Sequence, residues 1–224
     1  MEDNARKLGQ LIPENSVLFV CDLQERFAPS ILHFDTIVSN ADRMIQMSQV
    51  LHVPIITTEQ YPKVHSFSKC QTKQEGLGNT VAALKCHLHE KHIFSKTRFT
   101  MMIPEVENRL EELRTVRNVD TVILVGIETH VCIIATCQDL IQKGYNVHVV
   151  ADACSSRTQT DRQLALERMK QIGAFINSTE SVILSLAGDA AHPQFKQIQT
   201  LIKTLNPSTD LVRESSKDGL KCLL

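Results

Sequence analysis

Tryptophan is absent, tyrosine occurs twice, and aromatic residues make up only 4% of the 224-residue chain. Proteins that hold bases or sugars by stacking need such rings, so no nucleic-acid partner is expected. Charge of one sign is lacking too. Lys plus Arg (24) nearly balance Asp plus Glu (25), and the net charge of −1 offers no field for a phosphate backbone or an anionic membrane. No apolar run approaches the roughly 18–20 residues that span a bilayer, so no membrane partner is expected either. The 7 cysteines are odd in number and contain no CxxC pair. With the polar, acidic start MEDNARKLGQ, they point to a reducing, cytoplasmic setting, mitochondrial or peroxisomal residence remaining open.

Nucleotide and serine-hydrolase signatures are missing as well. Gly76-Leu-Gly78 has Val81 where a dinucleotide loop needs its third glycine, and neither a Walker A motif nor GxSxG occurs. His65, Cys70, Cys86, His87, His89 and His92 lie close in sequence, but zinc modules pair their ligands more tightly, so no metal is expected. The expected catalyst is cofactor-free.

What is present is an ordinary globular chain, 42% hydrophobic and 22% charged, long enough for one α/β domain without disulfides. Residues 11–205 form the expected domain, and 206–224 read as a flexible tail. Short apolar runs at 16–22, 53–58, 92–95, 120–126, 145–151 and 174–177 alternate with helical patterns at 35–51, 132–143, 161–172, 179–186 and 193–203. A further helix opens at Pro104, with Val106, Leu110 and Leu113 on one face. The run DTVILVG at 120–126 has the apolar continuity of a strand buried on both faces. Strands separated by helices imply a parallel sheet with helices on both sides, a three-layer α/β/α fold.

In such sheets, ligands sit beyond the carboxyl ends of the strands. Asp22 ends the first run, Lys96 follows the third, Cys132 opens the helix after the fourth, and Asp152 follows the fifth. With Thr129 as N-cap, Cys132 would stand near N3, where unpaired N–H groups favour a thiolate. A lysine ammonium would act in the same direction, and a carboxylate could take the thiol proton. Taken singly, each residue also has a plainer reading: a buried small hydrophobe, a strand-end cap or a solvated charge. Asp152 reads as a strand-end hydrogen-bonding residue.

Three segments occur in the order and context of one family. Cys21-Asp-Leu-Gln-Glu-Arg-Phe27, Ser95-Lys-Thr-Arg-Phe-Thr100 and Gly126-Ile-Glu-Thr-His-Val-Cys132 resemble the isochorismatase-like cysteine hydrolases. Thr58-Glu-Gln-Tyr-Pro62, Ala151-Asp-Ala-Cys-Ser-Ser-Arg157 and His192-Pro-Gln-Phe-Lys196 resemble its eukaryotic isochorismatase domain-containing subgroup.

The resemblance implies a six-stranded parallel sheet and a triad of Asp22 as base, Lys96 as cation and Cys132 as nucleophile. It implies a cis peptide between Ile127 and Glu128, which with the Cys132 amide would shape the oxyanion site. Gln24, Phe27, Arg98, Glu128 and His130 are expected to line the substrate pocket, with Arg26 and Lys63 as further cations at its edge. The implied chemistry is hydrolysis of a small amide or ureido substrate through a thioester-type intermediate, by a homo-oligomer. A dormant scaffold and a redox-sensing cysteine protein are the alternatives. Metal-dependent relatives carry DxHxxH after the second strand, whereas this chain reads Thr58-Glu-Gln-Tyr-Pro62, so no metal is implied. Relatives in the subgroup pass almost directly from TEQYP to GLG, whereas this chain inserts residues 64–75 near the expected pocket mouth.

Overall fold

The computed structural model describes residues 8–61 and 76–203; the insertion at 64–75, the tail at 206–224, Lys63, His65 and Cys70 lie outside the described residues. Six parallel strands form one sheet in the order β3-β2-β1-β4-β5-β6. They are β1 (Ser16–Cys21), β2 (Ile55–Gln60), β3 (Ile93–Lys96), β4 (Thr121–Ile127), β5 (Asn146–Ser155) and β6 (Phe175–Asn177). The helices are α1 (Phe34–Val50), α2 (Ala82–Lys85), α3 (Pro104–Arg117), α4 (Ile134–Gln142), α5 (Gln159–Gln171), α6 (Thr179–Ala187) and α7 (Phe195–Lys203). The expected three-layer architecture is what the chain adopts.

Side chains alternate across a strand, and β1 uses both sets. Leu18 and Val20 enter the core beneath α1, α6 and α7, while Val17, Phe19 and Cys21 enter the core beneath α3, α4 and α5. With both faces covered, every β1 and β4 residue is buried. Burial on both faces accounts for the unbroken apolar run at 120–126. Strand order reverses direction between β1 and β4, so the loops leaving these two strands part and open a crevice at their carboxyl ends. Asp22 leaves β1 and Cys132 follows β4 at that crevice.

Gly126 allows the two central strands to approach there. It pairs with Cys21 at φ +123°, and a Cβ at this position would stand 2.1 Å from the Cys21 carbonyl oxygen.

The fifth strand departs from the expected 145–151. It continues to Ser155, and its pairing with β4 jumps from Leu124–Val149 to Gly126–Cys154. The bulged backbone between is held by side chains from two layers. Asn40 Nδ2 donates to the Asp152 carbonyl, and the buried Arg162 donates to the carbonyls of Ala151 and Cys154. The third strand shifts by a single residue, so Lys96 ends β3 instead of following it. The short helix α2 has too few residues to show a period. No helix among the described residues is long and apolar enough to cross a membrane.

His148 gives the fold a pH dependence. Its ring stacks on Phe175 of the neighbouring strand at 4.8 Å, Asn177 Nδ2 lies 3.1 Å from Nδ1, and Nε2 is buried with no partner. Burial lowers its pKa from 6.5 to about 4. Between those values the unfolded chain takes up a proton that the folded chain refuses, so stability falls as pH drops through this window. At about 1.4 kcal/mol per pH unit, His148 removes about 2 kcal/mol between pH 6.5 and pH 5. Urea unfolding at pH 7 and pH 5 is expected to show the wild type losing that much more than His148→Gln. Equal losses would contradict the assignment.

Candidate active site

Asp22, Lys96 and Cys132 come from three different strand ends and meet in one buried cluster. Asp22 has left-handed backbone, φ 52°, which aspartate tolerates better than most residues. Its Oδ1 accepts from Thr58 Oγ1 at 2.8 Å and its Oδ2 from Lys96 Nζ at 2.6 Å. From Nζ, Cys132 Sγ is 3.7 Å away. Asp22 is 0% exposed, Lys96 3% and Cys132 7%.

Lys96 must reach past β2 to arrive there, and β2 guides it. Gln60 Oε1 accepts from Nζ at 2.6 Å, and the carbonyls of Arg98 and Phe99 lie at 3.1 and 3.0 Å. Burial alone would push the ammonium pKa down, but the facing Cys21, Asp22 and Cys132 groups outweigh it and hold it above the ordinary lysine value. The charge is therefore fixed in place across the neutral range.

Gln24, expected to line the pocket, bonds to backbone with both ends of its carboxamide. It is buried, and its carboxamide makes a two-way pair with the backbone of Gln60: Oε1 accepts from Gln60 N at 2.7 Å and Nε2 donates to Gln60 O at 3.0 Å. A further bond from Nε2 to Gly78 O at 2.7 Å ties in the strip before α2. The amide thus adds one rung to β2 past the end of β1 and holds Gln60 beside the lysine. Gln60 and Thr58 are site residues that the sequence analysis missed. Both share the β2 face of Ile56 by period two, but Thr58 meets Asp22 through the Cys21–Thr58 register and Gln60 meets Lys96 through the Gln60–Lys96 register, which spacing alone does not supply.

The turn that carries Cys132 also differs from expectation. It is a π-helical turn, Thr129–Ile133, with Glu128 in the N-cap position and no side-chain cap. The Thr129 hydroxyl, expected to cap it, is buried without a partner, so Cys132 stands one place deeper than N3. Glu128 O receives both Val131 N at 3.0 Å and Ile133 N at 3.1 Å, the latter the wide bond of a π turn. The Ile127–Glu128 peptide is cis.

The remaining expected residues form a second group beside the turn. Glu128 Oε2 accepts from Arg157 N at 3.2 Å and Arg157 Nε at 3.1 Å, and His130 Nδ1 lies 3.0 Å from Ser156 Oγ. Their described contacts are with one another and not with the triad. Phe27 packs on the α1-side core. Arg26 and Arg98 are exposed, and Arg98 Nη1 lies 3.4 Å from Met102 O. Asp152, once a possible fourth member, instead accepts from Thr179 N at 2.7 Å and Thr179 Oγ1 at 2.9 Å at the start of α6.

A cleft of about 710 Å³ opens at the β3 side of the sheet and reaches the cluster at Lys96. Arg98, Ile103, Glu59 and Tyr61 line it; Cys132 lies behind Lys96 and is not on its wall. Tyr61 O, at the cleft, accepts from Leu77 N at 2.8 Å. Among the described residues one group has donors close enough for a metal, namely Cys21, Asp22 and Cys132. The ammonium of Lys96 already stands against two of those three.

Residues 16–181 match the isochorismatase domain model. The chain belongs to the isochorismatase family. Isochorismatase domain-containing protein 2 of Xenopus laevis is 47% identical over 207 residues, spanning 92% of this chain and 93% of that one. A solved structure described as MAR1 ribonuclease from Caenorhabditis elegans is also 47% identical, with TM-score 0.80 over 92% of this chain and 98% of that chain. The YcaC gene product of Escherichia coli, described as an octameric hydrolase of unknown specificity, aligns with TM-score 0.66 over 88% and 98%. At 18% identity it shares the fold alone. The family places the chain among isochorismatase-like hydrolases.

Proposed function

We propose that the protein is a cofactor-free cysteine hydrolase of a small carboxylate-bearing amide or ureido compound. The observation that carries this reading is the position of Lys96 Nζ, 2.6 Å from Asp22 and 3.7 Å from Cys132 in a buried site. In this reading Asp22 takes the thiol proton, Cys132 sulfur attacks the carbonyl carbon, and Lys96 offsets the negative charge. Backbone amides of the π turn receive the oxyanion. The C–N bond then breaks, and nitrogen leaves as ammonia carrying the proton held by Asp22. Water then attacks the thioester carbonyl while Asp22 takes its proton, the C–S bond breaks, the acid is released, and the proton returns from Asp22 to the Cys132 sulfur. Arg98 on the cleft wall is the group we assign to the substrate carboxylate, since guanidinium pairs with carboxylate in two-point fashion. Glu128 and His130 complete the pocket on the turn side.

The active form is proposed to be a homo-oligomer. The name of the C. elegans relative raises a second reading, RNA cleavage, favoured by 47% identity over most of both chains. Near-neutral net charge and 4% aromatics speak for the small molecule.

A panel of small primary amides and ureido acids is expected to yield ammonia release together with a covalent acyl adduct on Cys132 in quenched samples, read by peptide mass. Ammonia without an adduct at Cys132 would remove the nucleophile assignment. Fragmentation of a labelled RNA oligomer with no amide turned over would favour the second reading.

A further inference from the structure

Cys21 is a second thiol at the site, and the hydrolytic scheme leaves it unused. It is the last residue of β1, wholly buried on the face that meets α4, and its sulfur lies within 4.8 Å of Cys132 Sγ and of an Asp22 carboxylate oxygen. Cys137 and Cys154 are buried too, and burial is the largest cause that pushes both thiols up to about 12. Cys21 differs in having its sulfur close to Cys132 Sγ, the thiol that the Lys96 ammonium contacts at 3.7 Å. Burial first, then contact with Cys132 and the charge of Asp22, raise its pKa well above the ordinary thiol value, with Lys96 opposing. It is a protonated thiol facing a thiol that sits against a cation.

We infer that Cys21 and Cys132 form a two-cysteine oxidation site, in which a hydroperoxide oxidises Cys132 and Cys21 resolves the product as an intramolecular disulfide. Cys132 thiolate attacks one oxygen of the hydroperoxide, the O–O bond breaks, and the other oxygen leaves as water or alcohol after taking a proton. Cys132 is now a sulfenic acid. Cys21 sulfur attacks the Cys132 sulfur, the S–O bond breaks, and the hydroxyl departs as water with the Cys21 proton, relayed through Asp22. Two sulfurs are oxidised and one peroxide is reduced. Closing the bond requires the sulfurs, which lie within 4.8 Å of each other, to approach to about 2.05 Å. The disulfide removes the nucleophile reversibly and spares it from sulfinic acid, which is not readily reversed. This inference rests on the reading of Cys132 as the reactive thiolate.

The test exposes the full-length protein to a few equivalents of hydrogen peroxide, blocks free thiols in denaturant, and maps peptides without reduction. The expected product is a Cys21–Cys132 cross-linked pair, two hydrogens lighter than the reduced peptides and absent before treatment. Dithiothreitol should restore at least 80% of the reduced pair, roughly the reversibility of a simple disulfide. In Cys21→Ala, or in the size-matched Cys21→Ser, Cys132 should advance to the sulfinic form, with recovery by dithiothreitol falling at least about fivefold. Persistence of a dimedone-trapped sulfenic acid in the wild type to the same extent as in these variants would overturn the inference, as would a Cys132 left untouched by peroxide. Cross-linking in a protein that turns over no amide would keep this inference and remove the hydrolase reading.

Discussion

Cys132→Ala is expected to lower amide turnover by at least about 10⁴-fold, a loss typical of removing a covalent nucleophile. The size follows from the arrangement around the sulfur. Asp22 and Lys96 are committed to one another at 2.6 Å and Lys96 is anchored by three more oxygens, so the pair exists to serve whatever stands at its open side. Cys132 Sγ stands there. Without the sulfur, the carboxylate and ammonium can still polarise a water, but the path through two lower barriers is gone. The fold should survive, because the change removes one atom from the edge of a core, at a cost of about 1 kcal/mol. Ammonia release is the measurement, with circular dichroism and thermal unfolding as controls. A variant within tenfold of the wild type would mean that Asp22 activates water directly. A chain with no turnover in either form, and unchanged partner binding, would be a dormant scaffold.

Gly126→Ala is expected to damage the fold itself, by at least about 4 kcal/mol, the range reserved for severe backbone conflicts. Two penalties add at this residue. The backbone stands at φ +123°, where side chains are strained, and the new Cβ would meet the Cys21 carbonyl oxygen at 2.1 Å and its carbonyl carbon and amide nitrogen at 2.8 Å. These are backbone atoms of the central strand, held by pairing on both sides, so no flexible side chain can yield. Relief would need β1 and β4 to separate at the point where Asp22 leaves one and the Cys132 turn leaves the other. Since small domains are stable by only about 5–15 kcal/mol, the variant should be largely unfolded or insoluble near 37 °C. Urea unfolding checks it, and a shift below about 1 kcal/mol would show that the strands yield easily.

The legible and illegible parts of this molecule divide along physical lines. The run at 120–126 announced β4 because both of its faces are buried, and Pro104 marked the start of α3. Gly144, at φ +86°, follows the α4 C-cap as a glycine in a position that favours glycine. The motifs around Asp22, Lys96 and Cys132 were readable by resemblance, and the crevice joining their strand ends follows from the strand order. What spacing could not supply was register and local distortion. Thr58 and Gln60 join the site through strand pairing, and Gln24 is tied to it through the backbone of Gln60. Strand β5 ran past its expected end because Asn40, far away in sequence, and Arg162, on the following helix, satisfy a bulge that local pattern would break. Thr129 had the chemistry of a cap, but the wide π turn moved that task to no side chain at all. Cys21 was hidden by its composition: a cysteine inside an apolar strand looks like any other small core residue.

The most direct test of the central claim is competition among the cysteines for a small alkylating agent at neutral pH, followed peptide by peptide. Cys86 is exposed, whereas Cys21, Cys132, Cys137 and Cys154 are buried. Among the described cysteines, accessibility alone would make Cys86 react first. If Lys96 and Asp22 hold Cys132 ready as a nucleophile, Cys132 should be modified at least about tenfold faster than Cys86 despite being 7% exposed, and Lys96→Met should abolish that advantage. Cys132 reacting no faster than Cys86 would contradict the account.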